Sequence, residues 1–236
     1  MGLLIHGKGP LTEAGTEGVA IAATNEGKVN VSLTLFSMGS VDKDLFAKVA
    51  NIKREKFDFM FPGMENEDSK GFILLASCLH PKSRGFITFV SKDEMEPVIE
   101  PNYLQHPYDL ECMKEAFWFA KNISETSTFK AMGAELRLPH YEECAQTKAS
   151  SNYLNEEYLN CIIRTFSITA YHPIGTARMG RADDPETVVD SKLRVHGIEN
   201  LRIVDASVLP SQVSGFPNSV IIIVAEKASD LIKGKE

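Results

Sequence analysis

The sequence predicts an α+β fold, in which a mainly antiparallel sheet is flanked by helices. Five short segments with the residue pattern of strands follow one another within the first 101 residues, and strands so close in sequence usually pair antiparallel. Segments long enough for helices come after them, and the last of these ends the chain. With 236 residues, the chain is large enough for one large domain or one and a half ordinary ones.

The predicted strands differ in their apolar pattern. In residues 29–35 apolar and polar side chains alternate, which is typical of a half-buried strand. Three phenylalanines at every second position predict a second strand at residues 57–61, and the continuous apolar run 71–79 predicts a buried third. Residues 84–92 and 98–101 predict the remaining extended segments. The sheet is therefore expected to come from the first half of the chain.

Two helices are predicted in the middle of the chain. Asp109 is expected to cap a helix that runs to about residue 122, because apolar residues recur on one face after it. Asn155 is expected to open another helix through about residue 165. Glu156 and Glu157 in the first turn of that helix suit the positive end of its dipole.

The last part of the chain predicts one strand and one helix. Residues 201–205 have the pattern of a strand that enters a turn. Asn218 or Ser219 is expected to cap a final helix through residue 233. The β-branched run 220–224 by itself favours a strand, but the length of the whole apolar stretch favours the helix.

Composition argues against several classes of protein. The net charge of −7 does not suit a surface that follows nucleic-acid phosphates. No apolar run reaches the roughly 20 residues of a membrane span, and the apolar stretch in residues 1–10 is too short for the core of a signal peptide. The cysteines form no C-x-x-C pair, so a zinc site is not expected. The residues expected as buried or free thiols are Cys78, Cys112, Cys144 and Cys161.

Two stretches in the last third of the chain carry the candidate chemistry. The first, residues 171–180, places His172 next to a proline and contains two glycines that permit tight turns. A histidine side chain titrates near neutrality, so a positioned one can take a proton from an alcohol. A lone histidine can equally be structural. The second stretch, residues 189–210, is followed by 214–219 and 225–228. Together with the first stretch, it favours a catalytic rather than a structural His172.

Together these stretches resemble the glucose-methanol-choline (GMC) oxidoreductase family, which depends on FAD. The match runs almost without gaps from about residue 172 to 232. Weaker similarity extends to the loop 7–11, to the His-Pro-Lys-Ser-Arg-Gly run 80–85 and to residues 102–104, so the resemblance covers essentially the whole chain. Within the family, this chain most resembles the branch of insect-type glucose dehydrogenase and ecdysone oxidase.

The resemblance implies roles for five residues. The histidine that matches His172 deprotonates the substrate hydroxyl, and the carbinol hydride passes to flavin N5. Asp205 and Ala206 match the segment that contacts the cofactor near its ribityl and pyrophosphate part. Pro217 and Asn218 match the backbone that faces the flavin pyrimidine ring, where a helix N-terminus would stabilise the anionic reduced ring. Asp205 could instead merely start a turn.

The resemblance also implies two interleaved domains. Residues 1–165 would contribute most of a substrate-binding domain, and residues 166–236 would return to the FAD-binding domain and supply its final strand and helix. The family's Rossmann-type G-x-G-x-x-G loop has no match here, because the early glycines have the wrong spacing. We therefore expect this chain to be the C-terminal part of a longer enzyme and to bind FAD weakly or not at all by itself.

A second departure from the family concerns Phe216. The family usually has histidine or asparagine at this position, as the partner of the catalytic histidine, and Asn218 matches a different position. A phenylalanine cannot hydrogen-bond the substrate oxygen, and the loss of such a contact typically costs about 1–3 kcal/mol. We therefore expect a slow or specialised enzyme.

Two functions stay open at this point. The first is the C-terminal part of an FAD-dependent oxidoreductase that acts on the CH–OH group of a small alcohol, sugar or steroid. The second is a non-catalytic binding or structural module that has kept the fold without FAD. No metal is expected, and both a homodimer and secretion of a longer parent stay open.

Other histidines and one arginine are also considered as site residues, and they are expected to lie in loops or on the surface. They are His80, His106, His140, Arg178 and His196.

Overall fold

The computed structural model describes residues 16–24, 29–38, 50–61, 71–139, 141–145 and 155–235, together with residues 44, 47 and 48. It consists of antiparallel sheets and helices, so the predicted α+β class is confirmed. Two compact units are present, one formed by Met1–Cys78 with Pro107–Ser167 and the other by Leu79–His106 with Ile168–Glu236. The stretch 1–10, the predicted loop 7–11 and His140 lie outside the described residues.

A three-stranded antiparallel sheet forms the first unit with its helices. The strands are β1 (Thr16–Ala22), β2 (Val31–Met38) and β3 (Gly71–Cys78), in the order β1-β2-β3. Strand β2 covers most of the segment predicted at 29–35. Its residues 31–34 are buried on both faces rather than on one, since Ser32 and Thr34 are nearly as inaccessible as Val31 and Leu33. The run 71–79, predicted as a buried strand, is confirmed as a strand, β3, but its residues are only partly buried and Gly71 is exposed.

The segment predicted as a strand at residues 57–61 is a helix, so this prediction is wrong. Helix α1 (Arg54–Met60) puts Phe57 and Phe61 one turn apart, and their ring centroids are 4.9 Å from each other. Phe57 is fully buried, while Phe59 faces away and is 39% exposed. An alternating pattern of only five residues also fits a helix whose first and last members share one face.

Further helices follow in the described part of the first unit. They are α2 (Pro107–Ser124), α3 (Ser127–Ala131), α4 (Glu142–Ala145) and α5 (Glu156–Phe166). The predicted cap of α5 is confirmed, because the Asn155 side chain accepts a hydrogen bond of 2.6 Å from the Tyr158 amide. Asp109 is not a cap: α2 begins two residues earlier, at a proline whose fixed φ suits the first helical position, and Asp109 is buried in the first turn.

The four cysteines form two disulfides, so the expectation of free thiols is wrong. Cys78 at the end of β3 is bonded to Cys112 in α2, and Cys144 in α4 is bonded to Cys161 in α5. Both pairs have Cα atoms 5.6 Å apart, within the range that a disulfide requires. The pairing depends on how α2 and α5 pack, and the spacing of cysteines in sequence does not reveal it.

The second unit has little regular structure. It contains the two-stranded antiparallel ribbon of β4 (Phe86–Phe89) and β5 (Pro97–Glu100), which overlap the segments predicted at 84–92 and 98–101. It also contains a 3-10 turn (Ala206–Val208) and helix α6 (Pro217–Ile232). No described helix combines the length and the apolar character needed to cross a bilayer.

The C-terminal elements differ in two details from those predicted. Residues 201–205 form no continuous strand, since Arg202 makes only an isolated bridge with Arg194. The β-branched run 220–224 is helical as predicted, but α6 begins at Pro217 with Phe216 in the N-cap position, rather than at a capping Asn218 or Ser219. Proline at the first helical position has no N–H that needs a partner, which explains the earlier start.

We predict that the two disulfides stabilise the chain to different degrees. They close sequence separations of 34 and 17 residues, which the chain-entropy model converts to about 4 and about 3 kcal/mol at 25 °C. Replacing both cysteines of one pair by serine is therefore expected to lower the free energy of unfolding more for Cys78 and Cys112 than for Cys144 and Cys161. Urea denaturation of the two double variants measures this, and the reverse order would contradict the prediction.

We also predict that Asn155→Ala lowers the free energy of unfolding by about 1 kcal/mol, because the first turn of α5 loses its side-chain acceptor. Asn155→Asp is the matched control, since it keeps an oxygen in the same place. Equal urea midpoints for the alanine and aspartate variants would show that the cap contributes nothing.

Candidate active site

The segment that follows His172 lies along the 3-10 turn Ala206–Val208. The amides of Gly175, Ala177 and Met179 donate to the carbonyl oxygens of three successive turn residues, at 3.4, 3.0 and 2.9 Å. Gly175 has a φ of +84°, and a Cβ there would also come within 3.3 Å of a carbonyl oxygen. Glycine is therefore required at this position for the segment to follow the turn.

A small apolar core joins the turn to helix α6. Its buried members are Val189, Leu193, Val208 and Ala228, of which Val208 belongs to the turn and Ala228 to α6. Val224, one turn earlier in the helix, packs against the same core. The His172 segment, the turn after Asp205 and the last helix are thus parts of one packed assembly.

The imidazole of His172 contacts the aromatic ring at the start of α6. The ring centroids of His172 and Phe216 are 5.8 Å apart, and the planes are nearly perpendicular at 82°. This edge-on arrangement is favourable for two aromatic rings. His172 is half-buried, whereas Phe216 is 55% exposed. Four of the predicted site residues, His172, Phe216, Pro217 and Asn218, are therefore close together in the fold.

The residue before His172 has an unusual backbone. Tyr171 has a φ of 58°, in the left-handed region that costs a residue with a side chain roughly 1–2 kcal/mol. Its amide donates to the hydroxyl of Thr169 at 3.0 Å, which helps to hold this conformation. The kink sets the direction in which His172 leaves the chain. No sequence pattern indicated it, because a tyrosine is rare at positive φ.

Asp205 and Ala206 lie at the start of the same turn. The carboxylate of Asp205 accepts a hydrogen bond of 2.8 Å from the Ser207 amide and so caps the turn. Hydrogen bonds with Ser207 hold the pKa of the Asp205 carboxyl below its ordinary value, and burial acts weakly in the other direction. Asp205 therefore starts a turn, which was the alternative to a role at the cofactor. Its side chain is nevertheless exposed, and the ionised group can accept further hydrogen bonds.

The first turn of α6 leaves backbone amides without a side-chain cap. The N-cap, Phe216, has no acceptor atom in its side chain, and Pro217 has no N–H. No acidic residue occurs in this turn. The amides of Asn218 and Ser219 can thus donate to an acceptor in front of the helix, where the dipole also favours negative charge.

Two other predicted loop residues have structural contacts. Arg178 donates to the backbone carbonyl of Glu186 at 3.3 Å and forms an ion pair with the carboxylate of the same residue, so it orders the loop. His196 lies with Nε2 3.5 Å from the Thr187 hydroxyl. A shallow depression that includes His196, Arg181 and Asp190 does not include His172 or Phe216.

His80, which was expected to lie in a loop or on the surface, contacts the segment before α6. Its Nδ1 atom is 3.2 Å from the Gln212 carbonyl oxygen, and its Nε2 atom is 2.9 Å from the Ser214 hydroxyl. The only available signal was the His-Pro-Lys-Ser-Arg-Gly run, which pointed to a family but gave no role to the histidine.

Comparison with known proteins identifies relatives over the whole chain. The model of the family described as GMC oxidoreductase matches residues 81–225. One relative is the Drosophila melanogaster protein named 'Neither inactivation nor afterpotential protein G'. The two sequences are 33% identical over 239 residues, and the match covers 99% of this chain and 40% of that protein. It is also 33% identical over 169 residues to glucose dehydrogenase [FAD, quinone] of Drosophila melanogaster, which covers 71% of this chain and 26% of the relative. The predicted resemblance to insect members is thus confirmed.

A solved structure has the same fold. Pyridoxine 4-oxidase from Mesorbium loti superposes with a TM-score of 0.68 at 21% identity, over 94% of this chain and 38% of that one. The chain therefore spans 40% or less of the length of these relatives. Since the family model matches more than half of the chain and the first relative matches nearly all of it, this chain belongs to the GMC oxidoreductase family.

Proposed function

We propose that this chain is the C-terminal part of an FAD-dependent oxidoreductase that acts on the CH–OH group of a small alcohol, sugar or steroid. The observation that carries the proposal is the contact between His172 and Phe216, the N-cap of α6. This contact puts a proton acceptor beside a helix N-terminus that lacks a side-chain cap. A base next to a site for negative charge is the combination that removal of a proton and a hydride from an alcohol requires.

His172 is proposed as the general base. Its ring is half-buried, and the perpendicular contact with Phe216 together with the kink at Tyr171 restricts its orientation. A base held in one orientation can take the hydroxyl proton of a bound alcohol without first being reoriented. When bound, FAD would accept the carbinol hydride at flavin N5.

The residues around His172 fit an FAD cofactor. The uncapped amides that follow Pro217, those of Asn218 and Ser219, would donate to the flavin pyrimidine ring. The ionised Asp205 suits hydroxyl donors but repels phosphate. We therefore assign Asp205 and Ala206 to the ribityl part of the cofactor rather than to its diphosphate. The chain alone is expected to bind FAD weakly or not at all.

The two-domain assignment is retained as part of the proposal, with residues 1–165 mainly in the substrate-binding domain and residues 166–236 in the FAD-binding domain. The second compact unit resumes at Ile168, which supports a boundary near residue 166. That unit also takes Leu79–His106, so the two parts would interleave along the chain.

A non-catalytic module is the second candidate, and Phe216 is the observation that favours it. Its ring occupies the position beside His172 where the resemblance leads us to expect histidine or asparagine. An aromatic ring offers no hydrogen bond to a substrate oxygen. This candidate predicts that restoring a polar group there has no effect on any alcohol oxidation.

We predict that His172→Gln slows flavin reduction by about 10²–10⁴-fold, the contribution typical of a general base. The chain would replace the matching segment of the Drosophila melanogaster glucose dehydrogenase, and flavin absorbance would be followed in stopped flow with alcohols, sugars and steroids. His196→Gln is the matched control, because His196 contacts Thr187 instead. Equal rates for the two variants would remove His172 from the reaction, and no reduction by any substrate in the parent chimera would count against the proposed enzyme.

We also predict that, in the same chimera, Phe216→Asn gives flavin reduction about tenfold or more faster than Phe216→Leu. Both variants lose the ring that restricts His172, and only asparagine adds a hydrogen bond to the substrate oxygen, which is worth about 1–3 kcal/mol. Phe216→Leu, which removes the ring without adding a polar group, is the control. If asparagine gives no more turnover than leucine, the non-catalytic module becomes the better candidate.

A further inference from the structure

The segment between the 3-10 turn and α6, residues 210–216, forms two hydrogen bonds with His80. His80 Nδ1 lies 3.2 Å from the Gln212 carbonyl oxygen and Nε2 lies 2.9 Å from the Ser214 hydroxyl. Within the described chain, residues 210–216 have no backbone–backbone hydrogen bond apart from those of α6 itself. Phe216 is the last residue of this segment, so the two contacts of His80 come just before the ring that touches His172.

The chemistry of the two partners fixes the roles of the His80 nitrogens. A backbone carbonyl can only accept a hydrogen bond, so Nδ1 carries the proton that is donated to Gln212. In the neutral ring Nε2 then accepts from the Ser214 hydroxyl. One imidazole thus holds two points of the segment, a backbone oxygen and a side chain two residues later.

His80 itself belongs to a loop that is held firmly. The hydroxyl of Ser83 accepts from the His106 amide at 2.9 Å, and Arg84 donates to two carbonyl oxygens of its own loop at 2.8 and 2.9 Å. At Gly85 a Cβ would come within 2.2 Å of the Glu100 carbonyl oxygen, so only glycine fits. The motif at 80–85 is therefore a fixed support, from which His80 reaches a segment with few contacts of its own.

We propose that His80 is a positioning residue, which fixes the segment 210–216 and thereby holds the Phe216 ring against His172. The inference rests on the proposed role of His172 as the base. Without His80, the segment loses both hydrogen bonds, and the ring of Phe216 no longer restricts the imidazole. Among the described residues, the hydrogen bonds of the His80 ring go to Gln212 and Ser214, so His80 acts through the segment that carries Phe216.

The test is an NMR experiment on the full chain with labelled histidine. The ring C–H signals of His172, identified by their loss in His172→Gln, report the ring current of the neighbouring Phe216. Phe216→Leu gives the shift that follows complete loss of this contact. We expect His80→Phe, which keeps a planar ring but no hydrogen bond, to move the His172 signals in the same direction. His80→Asn, whose amide can still donate to Gln212, should move them less.

His196→Phe is the matched control and should leave the His172 signals unchanged, because His196 does not contact residues 210–216. His172 signals that stay at their wild-type positions in His80→Phe, while Phe216→Leu moves them, would overturn the positioning role. The absence of a shift in Phe216→Leu itself would also overturn it.

In the chimera, His80→Phe should lower kcat about tenfold or more with little change in KM, as expected when a base is misplaced. An inactive parent chimera with the NMR shifts intact would overturn the proposed function and leave the His80 contact standing.

Discussion

Three backbone hydrogen bonds between the segment after His172 and the turn Ala206–Val208 determine the geometry of the candidate site. They are neither helical nor part of a sheet ladder, yet they tie together two stretches that are about thirty residues apart. Because the turn also contributes Val208 to the apolar core that includes Ala228 of α6, the same bonds connect His172 to the last helix. These hydrogen bonds and this core together position the side chains of the candidate site.

A site built from loops requires unusual backbone conformations. Around it Tyr171, Leu193 and Asn200 all have positive φ, in addition to Gly175 and Gly197. Each such residue with a side chain is costly, and it persists only because its surroundings allow no alternative. Leu193, for example, is buried in the core that holds the turn, so its conformation is fixed by packing. Rigid loops of this kind suit a base whose direction matters.

The first unit is held together differently. The sheet that the structure describes in this unit has three strands, and two disulfides connect a strand and helices of the unit. A buried lysine adds a further link: Lys114 of α2 contacts Glu111 and, in α5, Glu156, each at 2.7 Å. Hydrogen bonds to these two carboxylates raise the pKa of Lys114 above its ordinary value, against the effect of burial. The first unit thus adds covalent and ionic links between its elements to its own apolar clusters, whereas the second has an apolar core under its loops.

The fold class, most strand positions, the Asn155 cap and the family could be predicted from the sequence, because they depend on local patterns and on the order of motifs. The segment 57–61 was predicted as a strand but is helical, since five alternating residues fit both a strand and a helix. The disulfides and the hydrogen bonds of His80 to Gln212 and Ser214 were not predicted. Cys78 and Cys112 are separated by 34 residues, and His80 and Ser214 by 134. Only the tertiary structure shows that such residues are in contact. Their proximity results from how distant elements pack, and packing of that kind produces no repeating pattern in the sequence.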